Sequence, residues 1–453
     1  MVGIAHDVIL LLFTKIMNGG DIARICNKPT RNTKVNLICF IPRGGRSMSK
    51  RLLIVFSALI LATLVLSACG PQASAYECTD SIGCVTVAPG DPIHLAYAMV
   101  INGPDATLGI DSRNGVEIAI AEKGQLLGHD FQLTGEDDGC SAEGGQAAGT
   151  KLAADTTIVA VFGTSCSSAA RVAVPLLSQA GFVIISASNT APDLTLPGNE
   201  NNWPGYLRTA HSDTFQGAAA AQFAVDYLHA TKAATIHDGS LYAESLANQF
   251  AESFKGLGGT ITAQEAVDPN QTDFKSVLTS LAPGGPELIY YPIFIKAGAL
   301  ITRQAKETTG LENVALMGAD GMFSPDVSSG AGDASEGLYV SSPDLSAFSA
   351  KYSTFFLPKY QEMFGSEPIS IFHAHAYDAA WIVMNAIEKV AVQDADGTLH
   401  IPRQALRDAM YATTGYDGLT GKLSCSPTGD CANPVIAVYE YHAGEYPPVK
   451  VWP

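Results

Sequence analysis

From Ile93 onward, short apolar runs alternate with longer stretches whose apolar positions recur at helical spacing. The segments IHLAYAMV, DFQLTGED, IVAVFGT and FVIISAS read as strands, and residues 110–122, 143–154 and 169–179 between them read as helices. Runs such as IVAVFGT and FVIISAS are apolar throughout rather than alternating, which suits strands covered on both faces of a parallel sheet. A second series starts after Arg208, with strands AATIHD, TITAQEAV, ELIYYPIF and VALMGAD separated by helices at 215–229, 241–257, 274–281 and 297–308. Long helical stretches return at 346–364 and 371–390, and GKLSCSPTGDCANPVIAVYEY reads as a hairpin. The pattern predicts an α/β chain of two Rossmann-like lobes joined by three crossovers. Lobe one is expected at 91–210 plus 342–436, and lobe two at 211–341 plus 437–453.

Several strands run into turns rich in glycine, serine and threonine that open helices: GTSCSS, SASNTA and GADG. In open parallel sheets, ligands lie beyond the carboxyl ends of the strands, where helix N-termini attract anions. A small-molecule site is therefore expected at these turns. Enzyme signatures are absent from the sequence: there is no GxSxG elbow, no GxxxxGK[ST] loop and no HExxH helix. His373 and His375 are spaced i, i+2, so on a helix they face different directions and make a poor metal site. Asp137 and Asp138 follow a strand at a tight turn and read as structural. No cofactor and no metal are expected.

The N-terminal region addresses location. Met48-Ser49-Lys50-Arg51 is a short basic start, residues 52–66 are almost wholly apolar, and Leu66-Ser67-Ala68-Cys69 follows. This is a signal-peptide pattern, too short for a membrane-spanning helix. Its ending resembles a bacterial lipobox, with Cys69 as the lipidated mature N-terminus. Translation is then expected to begin at Met48, leaving residues 1–47 upstream of the true start, 48–68 as signal peptide and 69–90 as a tether. The whole chain carries 27 basic and 44 acidic residues, a net charge of −17, which disfavours nucleic acid as a partner.

Nine cysteines are present. Setting aside Cys26, Cys39 and the lipid site leaves six, an even number suited to an oxidising compartment. Cys78 and Cys84 enclose five residues, as do Cys425 and Cys431, and Cys140 and Cys166 remain. Four of them could instead hold zinc, though C-x5-C is not the usual C-x2-C knuckle.

Taken in order, GEDDGCSAEGGQAA, FGTSCSSAARVAVPLLSQAGFVIISASNTAPDLT, LRTAHSDTFQGAAAA, HDGSLYAESLA, LITRQAKETTG, LMGADGM and ASEGLYVSSP resemble the leucine/isoleucine/valine-binding family of type I periplasmic binding proteins. The resemblance runs from about Ile93 to Trp452. It implies a non-enzymatic solute-binding protein of an ABC importer, extracytoplasmic, monomeric and delivering an amino acid, branched-chain or related, to a membrane permease. It places Cys140 and Cys166 at positions that bond to each other. It assigns Ser167, Ser188 and Thr190 to the ligand carboxylate, Asp320 to the ligand ammonium, and Tyr242 to an aromatic that closes over the ligand. Leu108 stands where an aromatic often packs, Phe294 replaces a tyrosine and Asn189 replaces a small residue, so the side-chain pocket is expected to differ. The alternatives are the same fold binding an amide, urea or an aromatic acid, or a ligand-sensing receptor subunit.

Overall fold

The computed structural model describes residues 76–198 and 203–453; the expected signal peptide, the expected lipidation site at Cys69 and the stretch upstream of Met48 lie outside them. The first lobe opens with β1 (Cys84–Val87), β2 (Ile93–Met99), α1 (Ala106–Lys123), β3 (Phe131–Asp137), α2 (Ala142–Ala153), β4 (Ala160–Gly163), α3 (Ser167–Gln179), β5 (Val183–Ser186) and β6 (Tyr206–Arg208). The strands β3-β2-β4-β5-β6 form a five-stranded, all-parallel sheet in that order. Every residue of β4 and β5 is buried, as their unbroken apolar sequence requires of strands with helices on both faces.

The second lobe contains α4 (Asp213–Asp226), β7 (Lys232–His237), α5 (Leu241–Gly256), β8 (Thr260–Ala266), α6 (Lys275–Leu281), β9 (Leu288–Tyr290), α7 (Ile295–Lys306), β10 (Ala315–Gly318), α8 (Pro325–Ala331) and β11 (Leu338–Pro343). The chain then returns to lobe one with α9 (Leu357–Phe364), α10 (His373–Val390), β12 (Val392–Gln393), β13 (Leu399–Pro402), α11 (Arg403–Tyr411), β14 (Tyr416–Asp417) and β15 (Lys422–Leu423). It ends in lobe two with β16 (Ile436–Tyr441) and β17 (Val449–Trp452). The second sheet has seven strands in the order β17-β16-β11-β10-β9-β7-β8. Its β7 to β11 are parallel, and β16 and β17 close one edge antiparallel.

Helix α10 packs on α1 in lobe one. The two approach so closely at Gly115 that a Cβ there would lie 2.1 Å from the His373 carbonyl oxygen. Beside that contact His373 Nδ1 meets Asp111 Oδ2 at 2.7 Å and Nε2 meets the Tyr352 hydroxyl at 2.9 Å, so this histidine ties helices together inside the lobe.

Three expectations from sequence need correction. The stretch 421–441 is not one hairpin: β15 pairs with β14, whereas β16 pairs with β11 and β17. Between them the Cys425–Cys431 loop is pinned to lobe one, where Arg208 pairs with Asp430 and the Cys431 N–H donates to the Arg208 carbonyl at 2.9 Å. The described part of the 69–90 tether is not free: β1 pairs antiparallel with β13, burying Val85 and Val87. Finally, residues 342–343 and 436, assigned to lobe one, lie in the sheet of lobe two.

Candidate functional site

The carboxyl ends of β3 and β4 run into loops held rigid from beneath. Asp138 is fully buried, and its Oδ1 and Oδ2 accept from the N–H groups of Cys140 and Ser165 at 2.9 and 2.6 Å. Burial pushes its carboxyl up to about 7, against the pull of those two bonds. The Cys140–Cys166 disulfide staples the same two loops, and disulfides also join Cys78–Cys84 and Cys425–Cys431. Cys166 is the residue before α3, so the first-turn N–H groups of that helix, starting at Ser167, open on the cleft with the positive end of the helix dipole behind them. Ser188 donates from Oγ to the Ser165 carbonyl at 2.8 Å, and the Ser167 hydroxyl accepts from the Ala191 N–H at 3.3 Å.

Lobe two presents the opposite chemistry. Tyr242, in the first turn of α5, donates its hydroxyl to Asp320 Oδ1 at 3.2 Å and accepts from the Gly321 N–H at 3.1 Å. Its ring lies 5.2 Å from that of Phe294. Asp320 is 3% exposed. Burial raises its carboxyl to about 6, opposed by hydrogen bonds from Gln216 and Tyr242.

The two walls meet. Leu108, Ser165, Cys166, Ser167 and Ser188 with Phe372 from lobe one, and Tyr242, Phe294, Asp320 and Gly321 from lobe two, line a tight cavity of about 20 Å³. The lobes are closed over it. The Leu241 N–H, first of α5, donates to Ser168 Oγ at 3.0 Å, and the Ile295 N–H, first of α7, donates to Asp105 Oδ1 at 3.2 Å. Thr107 and Ser324 join their hydroxyls at 3.1 Å. Phe294 occupies the cap position of α7 and offers no side-chain acceptor, so the cap comes from the other lobe.

Of the residues expected from sequence, Leu108, Ser167, Ser188, Tyr242, Phe294 and Asp320 are brought together around this cavity. Asn189 and Thr190 are not on its lining. Asn189 is fully buried; its amide donates to the Thr164 carbonyl at 2.9 Å and its oxygen accepts from the Tyr206 hydroxyl at 3.0 Å, so its polar atoms are committed to the loop. Thr190 is also fully buried, with its hydroxyl turned to the Asp213 carboxyl, although the pair falls short of good hydrogen-bond geometry. Sequence reading missed Ser165, Gly321 and Phe372. Ser165 lies in the same GTSCSS turn as Ser167 and was within reach of that motif; Phe372 carries no local signal, because it arrives with the packing of α10.

The resulting chamber is bridged shut by the cross-lobe bonds, with helix N–H donors and hydroxyls on one wall and a buried carboxyl on the other. The family described as periplasmic binding protein matches residues 92–444. The leucine-, isoleucine-, valine-, threonine- and alanine-binding protein of Pseudomonas aeruginosa is 28% identical over 355 residues, covering 78% of this chain and 90% of its own. The branched-chain amino acid transporter substrate-binding protein of Streptococcus pneumoniae, solved with isoleucine, superposes with a TM-score of 0.69 at 24% identity, over 80% of this chain and all of its own. A solute-binding protein of R. palustris solved with benzoate has a TM-score of 0.67 at 18% identity, covering 80% of this chain and 96% of its own. With its two closed lobes and a family match spanning nearly all of the described residues, the chain belongs to the periplasmic binding protein family, whose members bind solutes and do no chemistry on them.

Proposed function

We propose that this chain captures a free α-amino acid with an aliphatic side chain, as the solute-binding component of an ABC importer. The observation that carries the reading is the polarity of the cavity. Ser167 and the N-terminus of α3 face Asp320 across it. A zwitterion offers a carboxylate to the first and an ammonium to the second. Leu108, Phe294 and Phe372 supply the apolar surface for the side chain. Support also comes from the Pseudomonas relative, whose name covers four aliphatic amino acids and threonine. The protein would work outside the cytoplasm as a monomer, tethered through a lipid on Cys69, and its closed form would dock on a membrane permease.

A thermal-shift screen of the chain from Cys69 onward, against amino acids, amides and aromatic acids, tests the ligand class. An amino acid at a hundred times its dissociation constant should add about 2.7 kcal/mol of stability. Stabilisation by benzoate or an amide, with none by any amino acid, would put the alternative ligand class in its place.

A further inference from the structure

Gln216, on α4, lines no part of the cavity, yet its amide touches three separate parts of the machinery. Its Nε2 donates to Asp320 Oδ1 and to the Ser341 carbonyl, the latter at 3.0 Å, and its Oε1 lies 2.6 Å from His211 Nε2. The orientation is forced: carboxylate and carbonyl can only accept, so the amide nitrogen must face them. The amide oxygen is then left for the imidazole, which must carry its proton on Nε2. Burial holds His211 neutral, with its pKa down at about 4, so this tautomer persists at physiological pH.

These partners are placed at the hinge. His211 lies in the first crossover, between β6 and α4, and Ser341 lies in β11, just before the second. His211 also borders a small cavity, of about 20 Å³, lined by segments of all three crossovers, with Asp344 from the second and Ala432 from the third. One fully buried side chain thus joins the first crossover and strand β11 to the carboxyl that faces the ligand.

We propose that Gln216, oriented by His211, is the positioning residue that fixes Asp320 for the ligand ammonium and makes that fixing depend on hinge closure. Two donors, Gln216 and Tyr242, converge on Oδ1 of Asp320. That leaves the other carboxylate oxygen to the cation. When the lobes part, the crossover that holds His211 bends, and the Gln216 amide loses the partner that aims it from the hinge while keeping Ser341 of β11. The inference rests on the amino-acid reading given above.

The charged and titratable groups around this array are Tyr242, Tyr290, Asp213, Arg208, His211 and His375. None of them places a cation in hydrogen-bonding contact with Asp320. The test is calorimetry with the best amino acid from the thermal screen, over pH 5 to 8, on the parent, Gln216→Met and His211→Phe. An ammonium needs Asp320 ionised, so parent affinity should fall as the pH drops below about 6. Gln216→Met removes a donor that favours the ionised carboxyl. It should weaken binding about 10- to 150-fold at pH 7.5 and move the fall in affinity to higher pH. His211→Phe should shift both in the same direction by less, and it carries the test if Gln216→Met does not fold. Parent-like affinity in the variants, or weaker binding with the pH midpoint unmoved, overturns the proposal. A parent that binds no amino acid sinks the ligand assignment itself, and that is read before any variant is made.

Discussion

Asn189 is a neighbour of Ser188 in sequence but faces away from the cavity, and the difference decides what each can do. The Asn189 amide joins the Thr164 carbonyl to the Tyr206 hydroxyl beneath the loop. Removing it strands a buried hydroxyl, which costs about 1–3 kcal/mol. Asn189→Ala is therefore expected to lower the unfolding free energy, read by urea denaturation, by that amount. A variant as stable as the parent would show that the amide network does not hold the loop. Asp320 and Tyr242 are the reverse case. Their hydrogen bond is internal to lobe two, yet both groups face the cavity, so polar side chains of similar burial divide into framework and ligand surface according to which atoms are already committed.

The helix starts carry closure. Helices α5 and α7 each leave a first N–H that is capped across the cleft, by Ser168 and Asp105. Asp105 borders the cleft outside the ligand cavity, beside Asp238 and Lys296. Burial raises its carboxyl to about 6. Helix caps contribute about 0.5–2 kcal/mol, here available only to the closed form. Asp105→Ala should then weaken ligand binding about 2- to 30-fold, mainly through faster dissociation in stopped-flow measurements. An unchanged dissociation rate would mean that the cross-lobe cap adds nothing to closure. The elements themselves were legible in sequence wherever burial leaves a local mark, as in the unbroken apolar runs of β4 and β5. Ser167 and Asp320 were singled out through the family resemblance of their turns, and both line the cavity. Strand β1 was not: CVTV is four residues long, and its partner β13 lies at the far end of the chain. Residues 421–441 failed for a related reason, because no sequence period records that a disulfide-closed loop docks on one lobe while the next strand joins the other. Phe372 reaches the site only through helix packing, which no motif reports, and Gln216, although it lies in the LRTAHSDTFQGAAAA segment, carries no local sign that it meets Asp320.

Across the molecule, closure and fold stability draw on buried carboxyls. Burial pushes Asp138 and Asp213 up to about 7, from an ordinary value of 3.8. Between pH 8 and 6.5 the folded form takes up protons at these two sites, while the unfolded carboxyls stay ionised. His211 and His375 are depressed by burial, so the unfolded chain begins to gain protons at histidine only as the pH nears 6.5 and below. A group raised in the folded state stabilises at low pH and loses that contribution as pH rises through its folded value. Ligand-free protein should therefore gain stability as pH is lowered from 8 to 6.5, as read by urea denaturation. Constant or falling stability over that window would mean these carboxyls ionise freely in the fold. The same economy of charge governs the ligand. With Asp320 buried in a closing cleft, an ammonium is what that carboxyl lacks, and stranding one member of such a pair costs about 2–5 kcal/mol. Calorimetry on the parent and on Asp320→Ala, with the best amino acid and with the same molecule lacking its amine, reads this pairing directly. The parent should prefer the amino acid strongly, and Asp320→Ala should lose about 30- to 5,000-fold in affinity for it and with that loss its preference. Binding of the amino acid by Asp320→Ala as tightly as by the parent would contradict the amino-acid clamp.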